Sequence, residues 1–377
     1  MEMYAVFQII WWLLLGVLLI GMAVMVGMDM GVGTILRYVG RTDLERRVAM
    51  NIIGPHWEGN QVWFVLGGGA IFAAFPLIYA TAFSGFYVVM LVLLWSMILR
   101  PLGFEYRGHL PSAKWRGMWD WALVISGLVP MVVFGAAFGN LFEGVPFHFS
   151  WNLTSTYTGS FLALLNPFAI LCGLLSASLS VFMGSVTLMN GGEGVIYERS
   201  RRIARVSVLL AVVLFAVGGF WVHSMDGYVL TQSPGPGVAQ TPLQQVVTLT
   251  GGAWFANFNA HPALWSLPAL GFVGMLVGLL GASTGRSHLA WWFGALAWIG
   301  VIATAGAALF PFLLPSSSVA AQSLTVWNSS SSELTLTWML GFTAVFVPLI
   351  VWYTSWAFYV MRGKVKAEQV ETSEHSY

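Results

Sequence analysis

GPHWEGNQVWFVLGGGAIFAAFP, running from Gly54 to Pro76, decides how the rest of the chain is read. From Gln61 to Phe75 fifteen residues carry no charge and can lie in lipid. Immediately before them stands a carboxylate, Glu58, beside Trp57 and close to His56, Asn60, Gln61 and Trp63. A membrane helix that carries an acid among tryptophans and amides needs a reason for the acid.

The whole chain fits that setting. Of its 377 residues 58% are hydrophobic and 8% are charged, against about 25% charged in soluble domains. The apolar runs are too many and too long for one globular core, which implies a polytopic all-α membrane protein. The single cysteine, Cys172, has no internal disulfide partner, and a net charge of +1 gives no hint of nucleic-acid binding. Glu2 and no basic residue precede the first apolar run, which is long enough to span, so no cleavable signal is read there. No convincing internal repeat and no soluble domain is visible: residues 1–362 read as one transmembrane domain and 363–377 as a polar tail.

Runs near 20 apolar residues predict nine helices, near 6–36, 50–75, 77–100, 118–141, 160–189, 203–224, 261–281, 288–314 and 334–361. Pro76 leaves almost nothing between the second and third, which predicts a tight hairpin. With nine spans, all sixteen Lys and Arg fall on one side: Arg37, Arg41, Arg46, Arg47, Arg100, Arg107, Lys114, Arg116, Arg199, Arg201, Arg202, Arg205, Arg286, Arg362, Lys364 and Lys366. The other side carries Glu2, Glu143, Asp226 and Glu333. Basic loops stay in the cytoplasm, so the N-terminus is expected outside and the C-terminus inside. The long loops near 225–260 and 315–333 are then external.

An acid at the centre of a spanning helix costs about 2.5–3.5 kcal/mol. On a continuous helix Glu58 lies eleven residues beyond Arg47, roughly 16 Å at 1.5 Å per residue. Asn51, Glu58 and Gln61 then share one broad face, with His56, Asn60 and Trp63 opposite. Two readings stand open: a proton relay along a wet path, or a protonated acid hydrogen-bonded between helices. Asp29, in GMDMGVG, can pair with Arg100 at the inner end of the third helix, and Gly27, Gly31 and Gly33 admit a close neighbour. Glu105, in RPLGFEYR, reads as a surface loop acid or a proton collector. Asp120, placed in the first turn of the fourth helix, is explained by the helix dipole.

His56 alone among the histidines is expected well within a helix; His223 and His261 lie near an interface, and His109, His148, His288 and His375 in or beside loops. That is a poor axial set for a haem. Gly67, Gly68 and Gly69 lack a following Lys-Ser/Thr and form no phosphate loop. Trp11–Trp12 and Trp291–Trp292 read as interfacial anchors or packing. On these residues alone a proton-coupled secondary transporter and a self-sufficient haem protein are the rival readings; the missing inverted repeat and the odd span count weigh against the transporter.

The block GPHWEGNQVWFVLGGGAIFAAFP, with ATAFSGFYVVMLVLLWSMILRPLGFEYR, RGMWDWALVISGLVP, FGNLFEGVPF, MDGYV, LFPFLLPSS and SLTVWNSSSSELTL, resembles subunit II of the cytochrome bd-type quinol oxidases, in order and over nearly the whole length. The resemblance implies a bacterial inner-membrane protein paired with a haem-bearing subunit I and a very small third subunit. The complex oxidises quinol and reduces dioxygen to water, making a proton-motive force without pumping. Two b-type haems and one d-type haem are expected on the partner, and a quinone or lipid is a candidate ligand of this chain. By the same resemblance Glu58 and Glu105 match positions assigned to a cytoplasmic proton path, with Trp57, Asn60, Gln61 and Trp63 shaping the surroundings of Glu58. Asp29 and Arg100 match positions held to matter for assembling the oxygen-reducing centre. Val26 stands where many members carry a further acid, so Asp29 works without it.

Overall fold

A computed structural model describes residues 3–372; Glu2, His375 and the tail beyond residue 372 lie outside the described residues. In chain order the helices are α1 (Met3–Val39), α2 (Asp43–Ile53), α3 (Trp57–Ala74), α4 (Pro76–Gly85), α5 (Tyr87–Tyr106), α6 (Ala113–Glu143), α7 (Pro167–Gly191), α8 (Gly194–Ser224), α9 (Ala256–Ala260), α10 (Ser266–Thr284), α11 (Ser287–Leu309), α12 (Val326–Ser329), α13 (Glu333–Val360) and α14 (Ala367–Thr372). Among the described residues eight helices are long and apolar enough to cross a membrane, and α3 with α4 supplies a ninth crossing when counted as one bent span. Three short antiparallel hairpins complete the fold: β1 (Phe147–Phe149) with β2 (Ser155–Tyr157), β3 (Asp226–Gln232) with β4 (Val246–Gly251), and β5 (Phe312–Leu314) with β6 (Leu324–Thr325). The loops expected near 225–260 and 315–333 thus contain strands.

The second predicted helix, 50–75, is two elements. Pro55 has no N–H to donate to the next carbonyl of the ladder, so α2 stops at Ile53, with Gly54 as its still-helical cap, and α3 starts at Trp57. Thr42 caps α2 through a reciprocal box with Glu45. The expected hairpin at Pro76 is also replaced. Pro76 opens α4 as its first residue, α4 turns 115° away from α3, and a second break at Phe86 starts α5.

The bundle packs around α7, of whose most apolar stretch 78% is buried, against 6% for α13. Small residues set the closest crossings. A Cβ on Gly31 of α1 would collide with the Ser180 backbone of α7, and one on Gly184 with Gly31, the close helix approach that small residues permit in lipid. Phe182, Met183, Met275 and Ala297 fill the centre between α7, α10 and α11. Trp11 is buried and donates to the Leu336 carbonyl at 3.0 Å, so it packs rather than anchors at an interface.

The two ends differ in chemistry. At one end α2, the α5–α6 turn, the α7–α8 turn and the tail meet through ion pairs: Lys364 lies 3.4 Å from Glu193, Arg199 lies 2.7 Å from Glu45, and the Arg47 guanidinium donates to the Val370 carbonyl at 3.1 Å. At the other end Tyr4 donates to the Ser331 carbonyl at 2.9 Å and Gln8 accepts from Gly237 N–H at 3.1 Å. The start of α1 and the end of α13 therefore lie at opposite ends, as an odd number of crossings requires.

Candidate functional site

The helix break at Pro55 relocates Glu58. It sits in the first turn of α3 rather than two turns into a continuous helix, so the 16 Å depth estimate loses its basis. Its side chain is exposed on the chain's surface. Trp57, Asn60 and Trp63, spaced by three residues, face inward and are buried; Gln61 is half-buried. Those three therefore point away from Glu58 and toward α1 and α5. Trp57 stacks on Phe104 of α5, with ring centroids 5.1 Å apart, and Trp63 packs on Gly21 of α1. His56 caps the start of α3 instead of lying within a helix, and its ring meets Phe358 of α13 edge-on.

The inward face of α3 meets Asp29. Asn60 Nδ2 donates to Asp29 Oδ2 at 2.9 Å, with both side chains buried. Arg100 is buried on the same side of the bundle, but its Nη2 donates to the Ser126 carbonyl at 2.9 Å. Asp29 and Arg100 do not touch, which corrects the expected pair: Asp29 Oδ1 and Arg100 Nη1 are each left without a protein partner. The Asn60 amide, carried inward by α3, is the partner that Asp29 has instead.

Asp120 is the largest departure from the sequence reading. Helix α6 begins at Ala113, so Asp120 lies two turns in, fully buried. It accepts from Arg46 of α2 and from Arg107 Nε at 2.7 Å. Arg107 continues to Asp43 at 2.6 Å, and Asp43 to Arg116 at 2.8 Å. Burial works against ionisation of Asp43, but Arg107, Arg116 and Arg46 outweigh it and hold the carboxyl below its usual range. Burial likewise works against Glu45, and hydrogen bonds from the Arg41 and Thr42 backbone and from Arg199 lower it. The sequence signal was present in MWDWAL, an acid inside an aromatic run, but nothing in it named Arg46 and Arg107 as partners. Glu105 stands in the last turn of α5, exposed, because α5 continues through Pro101 to Tyr106.

Between α1, α6, α7, α8, α10 and α11, toward the hairpin end, lies a cavity of about 690 Å³. Its walls include Met30, Met131, Phe168, Phe272 and Trp298, with His223, Asn259, Ser176 and Thr304 as polar points. A volume of this size suits an organic ligand. The residues do not fit a haem. Among the described residues His223 is the one imidazole on the wall, its ring set against Phe255, and no Lys or Arg lines the space to meet a propionate. Among the described residues no three His, Cys, Asp or Glu side chains are grouped to hold a metal ion.

Comparison with known proteins gives the family. Residues 7–361 match the family model described as cytochrome bd terminal oxidase subunit II. The chain is 46% identical to the cytochrome bd-I ubiquinol oxidase subunit 2 of Escherichia coli over 374 residues, 99% of both chains. It is 46% identical to the probable cytochrome oxidase subunit 2 of Haemophilus influenzae, again over 99% of both, and 30% identical to the cytochrome bd ubiquinol oxidase subunit 2 of Bacillus subtilis over 96% of this chain and 98% of that one. The solved bd oxidase of Geobacillus thermodenitrificans shares the fold, with a TM-score of 0.70 at 15% identity over 94% of this chain and 99% of the other. With a family match spanning nearly every residue from α1 to the end of α13, the chain belongs to the cytochrome bd terminal oxidase subunit II family.

Proposed function

We propose that this chain is the haem-free second subunit of a quinol-oxidising, dioxygen-reducing complex in the bacterial inner membrane. The full-length match to bd oxidase second subunits carries the reading. The b-type and d-type haems that pass electrons to dioxygen belong to the partner, subunit I; the chemistry of the large cavity's wall supports this, since it offers a single imidazole and no cation to meet a propionate. A very small third subunit completes the complex.

Subunit I docks on the side formed by α3, α5 and α13. Helix α13 presents Trp338, Phe342, Trp352 and Trp356 outward, and Gly68 and Gly69 of α3 are exposed with open space around them, which lets another helix approach closely. Glu58 opens onto this side. The basic end is cytoplasmic. Glu105 collects protons there, and Glu58 passes them across the subunit interface toward oxygen reduction, so proton uptake from one side contributes to the proton-motive force. Asp29, held by Asn60, keeps α1 and α3 in the register that supports this route. The 690 Å³ cavity holds a quinone or lipid tail, as its apolar wall favours.

Optical spectra of the purified pair and of this chain alone test the reading. Haem bands and quinol-dependent oxygen uptake are expected only in the pair; haem bands from the lone chain overturn it. Within the pair, Glu58→Gln is expected to slow oxygen reduction while leaving subunit assembly intact. Unchanged turnover between pH 6 and 9 removes Glu58 from the route.

A further inference from the structure

A second, small cavity lies where α1, α2, α5 and α6 meet. Asp29, Arg100, Ser126, Met50, Phe104 and Leu123 line it, and its volume of about 10 Å³ is about what one water molecule requires. Asp29 and Arg100 are 1% and 4% exposed. Each has spent part of its hydrogen-bonding capacity elsewhere, Asp29 Oδ2 on Asn60 and Arg100 Nη2 on the Ser126 carbonyl. Each keeps one unpartnered atom, Asp29 Oδ1 and Arg100 Nη1. The first accepts and the second donates.

Leaving either atom bare in a dry interior is costly, more so for charged groups than neutral ones. Apolar cavities stay empty, whereas a polar one with complementary groups binds water. We propose that this cavity holds a single structural water bridging Arg100 Nη1 to Asp29 Oδ1. The water accepts from the guanidinium and donates one proton to the carboxylate. Its other proton goes to Ser126 Oγ, whose own hydrogen is committed to the Leu123 carbonyl at 2.8 Å, leaving its lone pairs available. Three hydrogen bonds are the usual complement of a buried water. Asp29 and Arg100 thereby form a water-separated ion pair that ties α1, α5 and α6 together, with Asn60 of α3 on the outer carboxylate oxygen. This assignment stands on geometry and is independent of the oxidase reading.

A structure of the purified complex at a resolution that shows ordered waters tests it directly. One density peak is expected at about 2.7–3.2 Å from both Asp29 Oδ1 and Arg100 Nη1. A direct contact between those two atoms, an empty cavity, or a peak held by oxygen ligands at cation distances overturns it. In solution, infrared spectra of the complex in H₂¹⁸O are expected to show an internal-water band that is lost in Asp29→Asn and in Ser126→Val and kept in Glu58→Gln. Identical isotope-sensitive bands in the wild type and in both cavity variants overturn the assignment. Full oxygen uptake with a dry cavity would defeat this inference alone, and a wet cavity without oxidase activity would defeat only the functional reading.

Discussion

Asp120→Asn isolates the ion network at the basic end. The native carboxylate is fully buried and accepts from two guanidiniums, Arg46 and Arg107, the second only 3% exposed. Asparagine keeps the volume but removes the charge and turns an N–H₂ toward one of the two donors. Breaking a buried pair by deleting one partner costs about 3–5 kcal/mol. At about 2.1 cal/mol/K of unfolding entropy per residue, a chain of 377 residues unfolds with about 0.8 kcal/mol/K. The substitution should therefore lower Tm by about 4–6 °C, read by intrinsic tryptophan fluorescence on heating the detergent-solubilised complex. Asp43→Asn is the control. Its side chain is 37% exposed, and such a pair contributes at most about 1 kcal/mol, so its Tm should fall by about 1 °C. Replacing Asp120 and Arg107 together by Leu and Met should recover most of the loss, because no buried charge is stranded at Arg107. A shift below about 1 °C for Asp120→Asn, or one equal to that of Asp43→Asn, refutes the reasoning, since burial would then have added nothing to the pair.

Three further outcomes are expected. Asp43 and Glu45 have their folded carboxyl values held below the ordinary 3.8 and 4.5, so their contribution is fully present above those values and is lost as pH falls through the lowered ones. Tm should accordingly be flat from pH 7 to about 5 and drop below about pH 4, with a shallower acid slope in Asp43→Asn/Glu45→Gln; an unchanged slope in the double variant contradicts the assignment. Gly219 lines the large cavity and has open space where a side chain would grow, so Gly219→Leu should reduce the quinone or lipid that co-purifies, measured by mass spectrometry of the organic extract; equal recovery rejects that site. Asp29→Asn should lower the haem content of the assembled complex, read from its reduced-minus-oxidised spectrum, and full occupancy rejects a role for Asp29 in assembly.

That the chain crosses the membrane many times, in eight spans or nine with the bent α3–α4 pair, was legible because lipid imposes a simple rule: apolar runs of sufficient length cross, and charge collects at the ends. The faces of HWEGNQVW were also legible, since Glu58 with Gln61 and Asn60 with Trp63 follow from helical spacing alone. What failed were inferences that carried that spacing across a break. Pro55 ends one helix, so a distance counted from Arg47 to Glu58 has no straight line to follow. The Asp29–Arg100 pair failed for another reason. Similar depth on two helices places groups near each other but does not fix which atoms meet, and Asn60 and the Ser126 carbonyl each took one atom of the two groups while Asp29 Oδ1 and Arg100 Nη1 stayed apart. Asp120 was misplaced because α6 starts at Ala113, which turned a surface helix start into a buried centre.

The tail clasp changes the order in which this molecule can be completed. Residues 367–372 are synthesised after every span, yet they close on α2, among the first parts to leave the ribosome, with Val370 in the same apolar cluster as Val48 and Ile52 and its carbonyl accepting from Arg47. That contact cannot form on an unfinished chain. A product that stops before α14 therefore leaves the apolar cluster around α2 without Val370 and Arg47 without the Val370 carbonyl.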